Sequence, residues 1–219
     1  MPLIPATWAQ SINRGTRRVP TWPVYGLGLA WAGWLFWQGL TGALGPEPIN
    51  ALERRYGLVA LQLLAAGLAV TPLRVWTGIS LLKYRRALGL TAFGFVVAHF
   101  AVFAILDLQS LSRVGEELVK RPYITIGFAA LLALIPLAVT SNNASIRRLG
   151  AAGWRKLHRL AYPAVLLGAV HFVWLVKGYP AEPFVYLGVI VALLALRLIP
   201  ARKAQGRIVR HAPTAPVAR

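Results

Sequence analysis

The sequence contains no cysteine, and its single methionine is Met1. The missing thiol excludes thiolate ligation of a metal, cysteine-held iron–sulfur clusters, disulfides and thiol redox chemistry within this chain. A thioether ligand is effectively excluded as well, because the one methionine is the first residue. Any metal or metal cofactor must therefore be held by histidine or by oxygen ligands.

Charged residues are also scarce, at 14% of the 219 residues, whereas 57% are hydrophobic and the mean hydropathy is +0.58. A soluble domain is nearer half apolar and about a quarter charged. The apolar residues fall into runs of roughly 17–21 residues, the length that crosses a hydrocarbon core about 30 Å thick. The composition therefore predicts an all-α membrane protein, a bundle of six transmembrane helices. The six runs cover residues 24–44, 57–73, 87–106, 123–140, 160–176 and 184–199.

The same pattern sets the expected domain organisation. Residues 1–23 are polar and are predicted to be a cytoplasmic N-terminal segment. They do not resemble a cleavable signal, because no short apolar stretch with a small-residue cleavage site precedes the first run. Residues 24–199 form the membrane domain, and residues 200–219 are predicted to be a basic, disordered cytoplasmic tail. No glycine-rich phosphate-binding fingerprint follows a plausible strand, which argues against a soluble nucleotide-binding domain.

The net charge of +18 is distributed asymmetrically. With both termini in the cytoplasm, the inner segments hold 18 of the 24 Lys and Arg residues and none of the six acids. Cytoplasmic loops of membrane proteins are enriched in Lys and Arg. We therefore expect a multi-pass, lipid-embedded protein of the bacterial inner membrane with both termini cytoplasmic. The basic character then reflects topology, and we expect no nucleic-acid partner.

The chain contains four histidines, and three of them lie in or beside the third and fifth predicted spans. An ionisable side chain inside a span is costly, so each one is a functional hypothesis, although a lone histidine could equally be a packed core residue. His99 and His171 lie on two parallel predicted helices, about seven and about five residues below the outer ends, and so at similar depth. Two imidazoles facing each other across a helix pair can hold a haem iron on both axial sides. The remaining histidines are His158 and His211, and His211 lies in the tail.

His158 precedes His171 by 13 residues, which places it ~20 Å lower, near the cytoplasmic surface. Pro163 lies between them and should kink or locally rewind the helix. The third predicted helix carries Arg85 and Arg86, and no histidine, at the matching inner depth. His158 could therefore ligate a second haem with a weak or absent second ligand, or contact a flavin, a quinone or haem propionates. The nearby basic cluster could hold propionates or phosphate, or be only a topology signal; it comprises Lys83, Arg85, Arg86, Arg155 and Lys156.

The predicted outer loop, residues 107–122, is unusually charged for this chain. It holds three cations and three acids between Asp107 and Pro122, so it is not a simple electrostatic funnel. We hypothesise that it forms specific paired contacts, some within the chain and some to a partner protein. The competing interpretation is internal pairing, because Glu117 and Arg121 are spaced i, i+4 as on a short surface helix.

Five motifs carry a family resemblance that spans roughly residues 54–198. They are LAVTPL at residues 68–73, KYRRALGL at 83–90, GEELVKRPYITIG at 115–127, RRLGAAGWRKLHRLAY at 147–162 and HFVWLVK at 171–177. In combination they are similar to the MsrQ family, the haem-binding membrane subunits of the bacterial periplasmic protein-methionine-sulfoxide reductase system. The wider relatives are the ferric-reductase-like transmembrane domains of NADPH oxidases and ferric reductases.

The resemblance implies a function as well as a fold. It implies one or two b-type haems bound through His99, His158 and His171, with Arg85 and Arg86 as further cofactor-binding residues. Electrons would pass from a cytosolic flavin reductase or the quinone pool to a periplasmic molybdopterin subunit that reduces methionine sulfoxide in oxidised proteins. A flavin mononucleotide (FMN) site is also attributed to the family. The Arg85–Arg86 pair departs from the oxidase relatives, which have a second inner histidine there.

Two other functions remain open at this stage. The first is a stand-alone transmembrane reductase of ferric ion or oxygen, so whether the chain is itself an enzyme is left open. The second is a transporter with a histidine proton relay. Transporters of that kind usually carry buried carboxylates or broken helix pairs, and every acid here is assigned to an outer loop, so we rank this function last.

Overall fold

The computed structural model describes residues 3–176, 178 and 180–198, and every regular element within them is helical. This confirms the all-α prediction for the described part of the chain. The predicted tail, residues 200–219 with His211, lies outside it. The α-helices are α1 (Ala6–Arg18), α2 (Trp22–Leu40), α3 (Pro48–Thr77), α4 (Arg85–Ala101), α5 (Leu111–Lys120), α6 (Pro122–Val139), α7 (Asn143–Leu157), α8 (Ala161–Leu175) and α9 (Ala181–Leu198).

Three short turns complete the backbone path. A 3₁₀ turn, Leu82–Tyr84, leads into α4, and a π-helical turn, Val102–Asp107, extends it. A second 3₁₀ turn, His158–Leu160, separates α7 from α8. This rewound turn lies directly before Pro163, as expected from the proline, which stands in the first turn of α8 and leaves the rest of that helix regular.

Within the described residues, three helical segments are long and apolar enough to cross a membrane by length and composition: Pro48–Thr77, Leu82–Asp107 and Pro122–Val139. They coincide with the second, third and fourth predicted spans. Helices α2, α8 and α9 stand at the first, fifth and sixth positions. Helix α2 is rich in Trp and Gly, and both are less apolar than aliphatic residues. Tryptophan also favours the membrane interface. Helix α8 has only 15 residues.

Helix α3 is the centre of the bundle and packs against α2, α4, α8 and α9, while α6 packs on α8. The core is formed by three apolar clusters, represented by Phe95, Ile190 and Leu134. The hydroxyl of the buried Tyr56 donates a 2.8 Å hydrogen bond to the carbonyl oxygen of Ala32, which ties α3 to α2. No polar or charged residue is fully buried among the described residues.

The predicted N-terminal polar segment contains a helix, α1, that lies against the loop between α3 and α4. The Asn13 side chain donates to the carbonyl of Gly78 at 3.0 Å and accepts from the amide of Ser80 at 2.8 Å. Helix α1 therefore belongs to the same end of the molecule as Arg85 and Arg86, which begin α4.

Candidate functional site

His99 and His171 come together between α4 and α8. Their ring centroids are 6.3 Å apart and their planes make an angle of 73°. Two imidazoles that share one metal, each through a bond of about 2 Å, have centroids about 6 Å apart. The separation of the two rings therefore suits a single metal held between them.

Backbone carbonyls fix the orientation of both rings. The Nδ1 atom of His99 lies 2.9 Å from the carbonyl oxygen of Glu53, and that of His171 lies 2.7 Å from the carbonyl oxygen of Tyr123. A carbonyl only accepts, so each Nδ1 carries the hydrogen and each Nε2 keeps a free lone pair. Metal-ligating histidines are typically held in this way, with the second nitrogen donating to a carbonyl or a carboxylate.

Two glycines on the neighbouring helices leave space for the imidazole rings. A Cβ atom on Gly57 would lie 3.1 Å from Nδ1 of His99, and one on Gly127 would lie 2.9 Å from Nδ1 of His171. Each glycine follows the carbonyl acceptor by four residues, so it lies one turn further along the same helix face. Helices α3 and α6 thus hold their histidine in the same way. A backbone carbonyl at position i accepts the hydrogen bond, and a glycine at position i+4 leaves room for the ring.

The two imidazoles line one cavity whose walls are mainly apolar. Phe100 lies at its side, with ring centroids 6.3 Å from Phe103 and 5.6 Å from Phe128. Small residues such as Ala60 and Ala164 also line the cavity. A flat, apolar cofactor fits walls of this kind, where a few polar groups fix its orientation. Apart from the two histidines, the polar and charged lining residues include Asn50, Glu53, Arg54, Asp107, Arg121 and Tyr123.

The metal-binding side chains among the described residues limit the kind of metal centre that this site can form. No group of three or more His, Asp or Glu residues there could hold a metal ion by itself. A metal between His99 and His171 would therefore need further ligands that the protein does not provide. A haem would bring nitrogen ligands of its own, and His99 and His171 would hold its iron, so the residues present fit a haem.

His158 is not part of this cavity. It stacks on Trp154, with centroids 3.7 Å apart and planes at 24°. Its Nδ1 donates to the Trp154 carbonyl at 3.1 Å, and its Nε2 lies 3.5 Å from the Ser141 hydroxyl. Burial lowers the pKa of His158, and the positive charges of Arg85 and Arg86 lower it further. Both effects favour the neutral imidazole, which retains a nitrogen lone pair.

The predicted basic residues at the inner end are partly used within the protein. Both terminal nitrogens of Arg86 donate to Oδ1 of Asn143 at 3.0 Å. The Lys83 ammonium donates to the carbonyls of Arg17 and Val19 at the end of α1. Arg85 and Arg86 stand beside His158 and do not line the cavity between His99 and His171.

The sequence interpretation did not identify Glu53, Gly57, Tyr123 or Gly127 as site residues. Glycines within apolar spans were the available signal, because small residues mark the places where membrane helices or their side chains approach closely. The backbone carbonyls of Glu53 and Tyr123 could not be recognised in the sequence, because every residue type has a backbone oxygen.

Comparison with known proteins identifies the family. Residues 55–169 match the family described as "Ferric reductase like transmembrane component". The protein-methionine-sulfoxide reductase heme-binding subunit MsrQ of Brucella anthropi is 47% identical over 198 residues, 89% of this chain and 90% of that protein. This chain belongs to the MsrQ family. The MsrQ protein of Brucella ovis is also 47% identical, over 84% of this chain and 87% of its own length. The ferric-reductase match includes His99 and His158 and ends just before His171.

Proposed function

We propose that this MsrQ-family chain binds haem b between His99 and His171 and carries electrons across the inner membrane to a periplasmic methionine-sulfoxide reductase. The observation that carries the proposal is the facing pair of imidazoles, each with Nδ1 bonded to a backbone carbonyl. The named relatives are heme-binding subunits of a protein-methionine-sulfoxide reductase, which supports both the cofactor and the pathway.

The bound haem would supply one-electron redox chemistry, and the chain's residues set the conditions for it. His99 and His171 present Nε2 lone pairs on rings that are already oriented, so little rearrangement is needed on binding or on a change of charge. The apolar wall formed by Phe100, Phe128 and their neighbours would surround much of the haem with nonpolar side chains. Ligand identity, hydrogen bonding to the ligands and burial are the protein's means of tuning a haem potential.

The proposed topology has six spans with both termini cytoplasmic. The charge asymmetry supports it, because the ends of helices that lie with α1 carry the basic residues and the opposite ends carry the acids. His158, Arg85 and Arg86 then stand at the cytoplasmic end, and Glu53, Asp107 and α5 at the periplasmic end. The cavity between His99 and His171 would lie in the outer half of the membrane.

We propose His158 as the residue of electron entry. Its neutral imidazole, stacked on Trp154, lies at the cytoplasmic end, where a cytosolic flavin reductase or a membrane quinone would deliver electrons. It could serve there as a ligand of a second haem or as a contact for the donor. The FMN site implied by the family resemblance remains an expectation.

Helix α5 is the proposed docking surface for the periplasmic molybdopterin subunit. Its charges pair internally, since Lys120 lies 3.1 Å from Glu116 and Arg121 lies 2.6 Å from Glu117. The structure thus contains the Glu117–Arg121 pair that the sequence suggested, together with a second i, i+4 pair, Glu116–Lys120. Both partners of the Glu116–Lys120 pair remain more than half exposed, so the same groups are accessible to a partner protein.

The test is electron delivery by the whole protein in proteoliposomes. With a reduced flavin donor on the cytoplasmic side and the periplasmic subunit outside, methionine sulfoxide reduction should require this chain. The variants His99→Ala and His171→Ala should abolish it together with the low-spin haem spectrum. Normal delivery by both variants would reject the proposal.

A stand-alone reductase of ferric ion or oxygen is the second candidate. The polar, solvent-facing outer end of the cavity favours it, because Asn50, Arg54 and Asp107 there are exposed. Rapid oxidation of the reduced protein by ferric chelates or oxygen, with slow oxidation by the periplasmic subunit, would favour this alternative.

A further inference from the structure

Helix α1 contacts the bundle along one of its sides. Beyond the two hydrogen bonds of Asn13, the Tyr84 hydroxyl donates to the carbonyl of Thr16 at 3.1 Å. Ala9 is buried against the protein, with its Cβ near Gly78. These contacts join one side of α1 to the loop between α3 and α4 and leave its other sides facing away from that loop.

The sequence of α1 divides the rest of its surface into two opposite sides. At about 100° per residue, Ala9, Asn13 and Thr16 fall on the side that faces the protein. Trp8, Ile12 and Gly15 lie next to one another on a second side, and Arg17 lies about 180° from Trp8 around the helix axis. The indole of Trp8 is 67% exposed and Ile12 is 40% exposed. We define Trp8, Ile12 and Gly15 as the apolar side, and Gln10, Arg14 and Arg17 as the polar side.

Other aromatic residues stand at the same end of the molecule as the apolar side. Trp22 and Tyr25 begin α2 and are 69% and 38% exposed. Trp76 lies in the last turn of α3, and its carbonyl accepts a 2.8 Å hydrogen bond from the amide of Leu3. Tryptophan and tyrosine are enriched where a membrane meets water, so α1 lies at the level of the interface.

The charge of this end is positive. The first acid of the chain is Glu47, and Arg14, Arg17 and Arg18 belong to α1, while Lys83 contacts its C-terminal end. A helix with an apolar side, a basic polar side and a position at the membrane surface is the type that lies flat in a leaflet. Anionic lipids of the cytoplasmic leaflet attract such basic segments.

We infer that α1 is an interfacial helix that binds anionic phospholipid. Its apolar side lies among the acyl chains at the edge of the cytoplasmic leaflet, and its arginines bind the lipid phosphates. Because α1 also holds the loop between α3 and α4, the lipid stabilises the position of the segment from which Arg85 and Arg86 begin α4. The inference requires a membrane protein with this end cytoplasmic, and it does not depend on haem or on the periplasmic partner.

The absence of cysteine allows a direct test with spin labels on the full-length chain. We would compare Gly15→Cys, on the apolar side, with Gln10→Cys, on the polar side, in nanodiscs with and without phosphatidylglycerol. A Cβ at Gly15 meets no atom within 4 Å, and Gln10 is exposed, so both positions accept a label. With phosphatidylglycerol, we expect the label at position 15 to be several-fold more accessible to oxygen than to a water-soluble nickel chelate, and the label at position 10 to show the opposite preference.

The lipid charge provides the second readout. In nanodiscs of phosphatidylcholine alone, the difference between the two positions should shrink. The triple substitution of Arg14, Arg17 and Arg18 by Gln should shrink it equally in phosphatidylglycerol. Equal accessibility of the two positions in phosphatidylglycerol, or a difference that is independent of lipid charge and of the arginines, would overturn the inference. So would dipolar broadening at position 15, since a second copy of the chain would then cover the apolar side. The haem spectrum, recorded in parallel, shows whether the bundle is intact in each variant.

Discussion

Gly127 offers a sharp test of how His171 is held. In Gly127→Ala, the new Cβ would lie 2.9 Å from Nδ1 of His171 and 3.0 Å from its Cε1 and Cγ atoms, whereas ordinary contacts lie at 3.4–4 Å. The ring must therefore move by roughly half an ångström, since interiors this tightly packed do not absorb an added methyl without displacement. That movement breaks or lengthens the 2.7 Å hydrogen bond to the Tyr123 carbonyl.

The expected cost follows from the hydrogen bond and from its role. Loss of one such bond costs about 1 kcal/mol, and loss of a partner that orients a metal-ligating histidine lowers metal affinity about 10–100-fold. Gly127→Ala should therefore weaken haem binding by one to two orders of magnitude and give part of the haem a high-spin spectrum. The assay is haem titration into the purified apoprotein, followed by absorption spectroscopy.

The matched controls are glycines in the same kind of helix with free space around them. A Cβ meets no atom within 4 Å at Gly67 in α3 or at Gly94 in α4. Gly67→Ala and Gly94→Ala should bind haem as the unmodified chain does, because alanine also favours a helix. Gly57→Ala, with its 3.1 Å approach to His99, should show a smaller loss than Gly127→Ala. If Gly127→Ala matches the controls in affinity and spin state, the proposed arrangement that holds His171 is wrong.

Three further outcomes are expected. His158→Ala should slow reduction by a cytosolic flavin donor several-fold in stopped-flow measurements and leave the spectrum of the His99–His171 haem unchanged; a wild-type rate would make His158 merely structural. Gly28→Ala should destabilise the packing of α2 on α4 by about 1–3 kcal/mol, because the added Cβ clashes with the Thr91 side chain, while Gly33→Ala, with open space, serves as control in thermal unfolding. Exchanging Glu116 and Lys120 keeps their exposed ion pair, worth under about 1 kcal/mol, and should reduce electron delivery to the periplasmic subunit at constant haem content; unchanged delivery would place the docking surface elsewhere.

The meeting of His99 and His171 could be anticipated from the sequence because hydropathy gives depth. Two apolar runs with the same direction place residues near their outer ends at one height, and the charge pattern fixes the direction. The depth of a residue does not show how its helix is rotated about its own axis. The carbonyls of Glu53 and Tyr123 could therefore not be predicted as the hydrogen-bond acceptors of the two histidines. They became visible only once α3 and α6 were packed against α4 and α8.

Helix α1 and the span count show a different difficulty. The spacing of Trp8, Ala9 and Ile12 is compatible with an amphipathic helix, but polar residues and Pro5 masked it within a short segment. A helix that crosses a membrane is recognised by its length and its aliphatic content. Helix α2 is rich in Trp and helix α8 has 15 residues, so neither is recognised as a span on these grounds.

The central claim, that His99 and His171 hold the same haem, is tested most directly by haem stoichiometry. Pyridine haemochrome analysis with quantified protein would be applied to His99→Ala, His171→Ala and the double variant. Two residues that act on one group have non-additive effects, so each single variant and the double variant should lose the same single low-spin haem per chain. If the double variant loses twice as much haem as either single variant, the two histidines serve different haems and the account is contradicted.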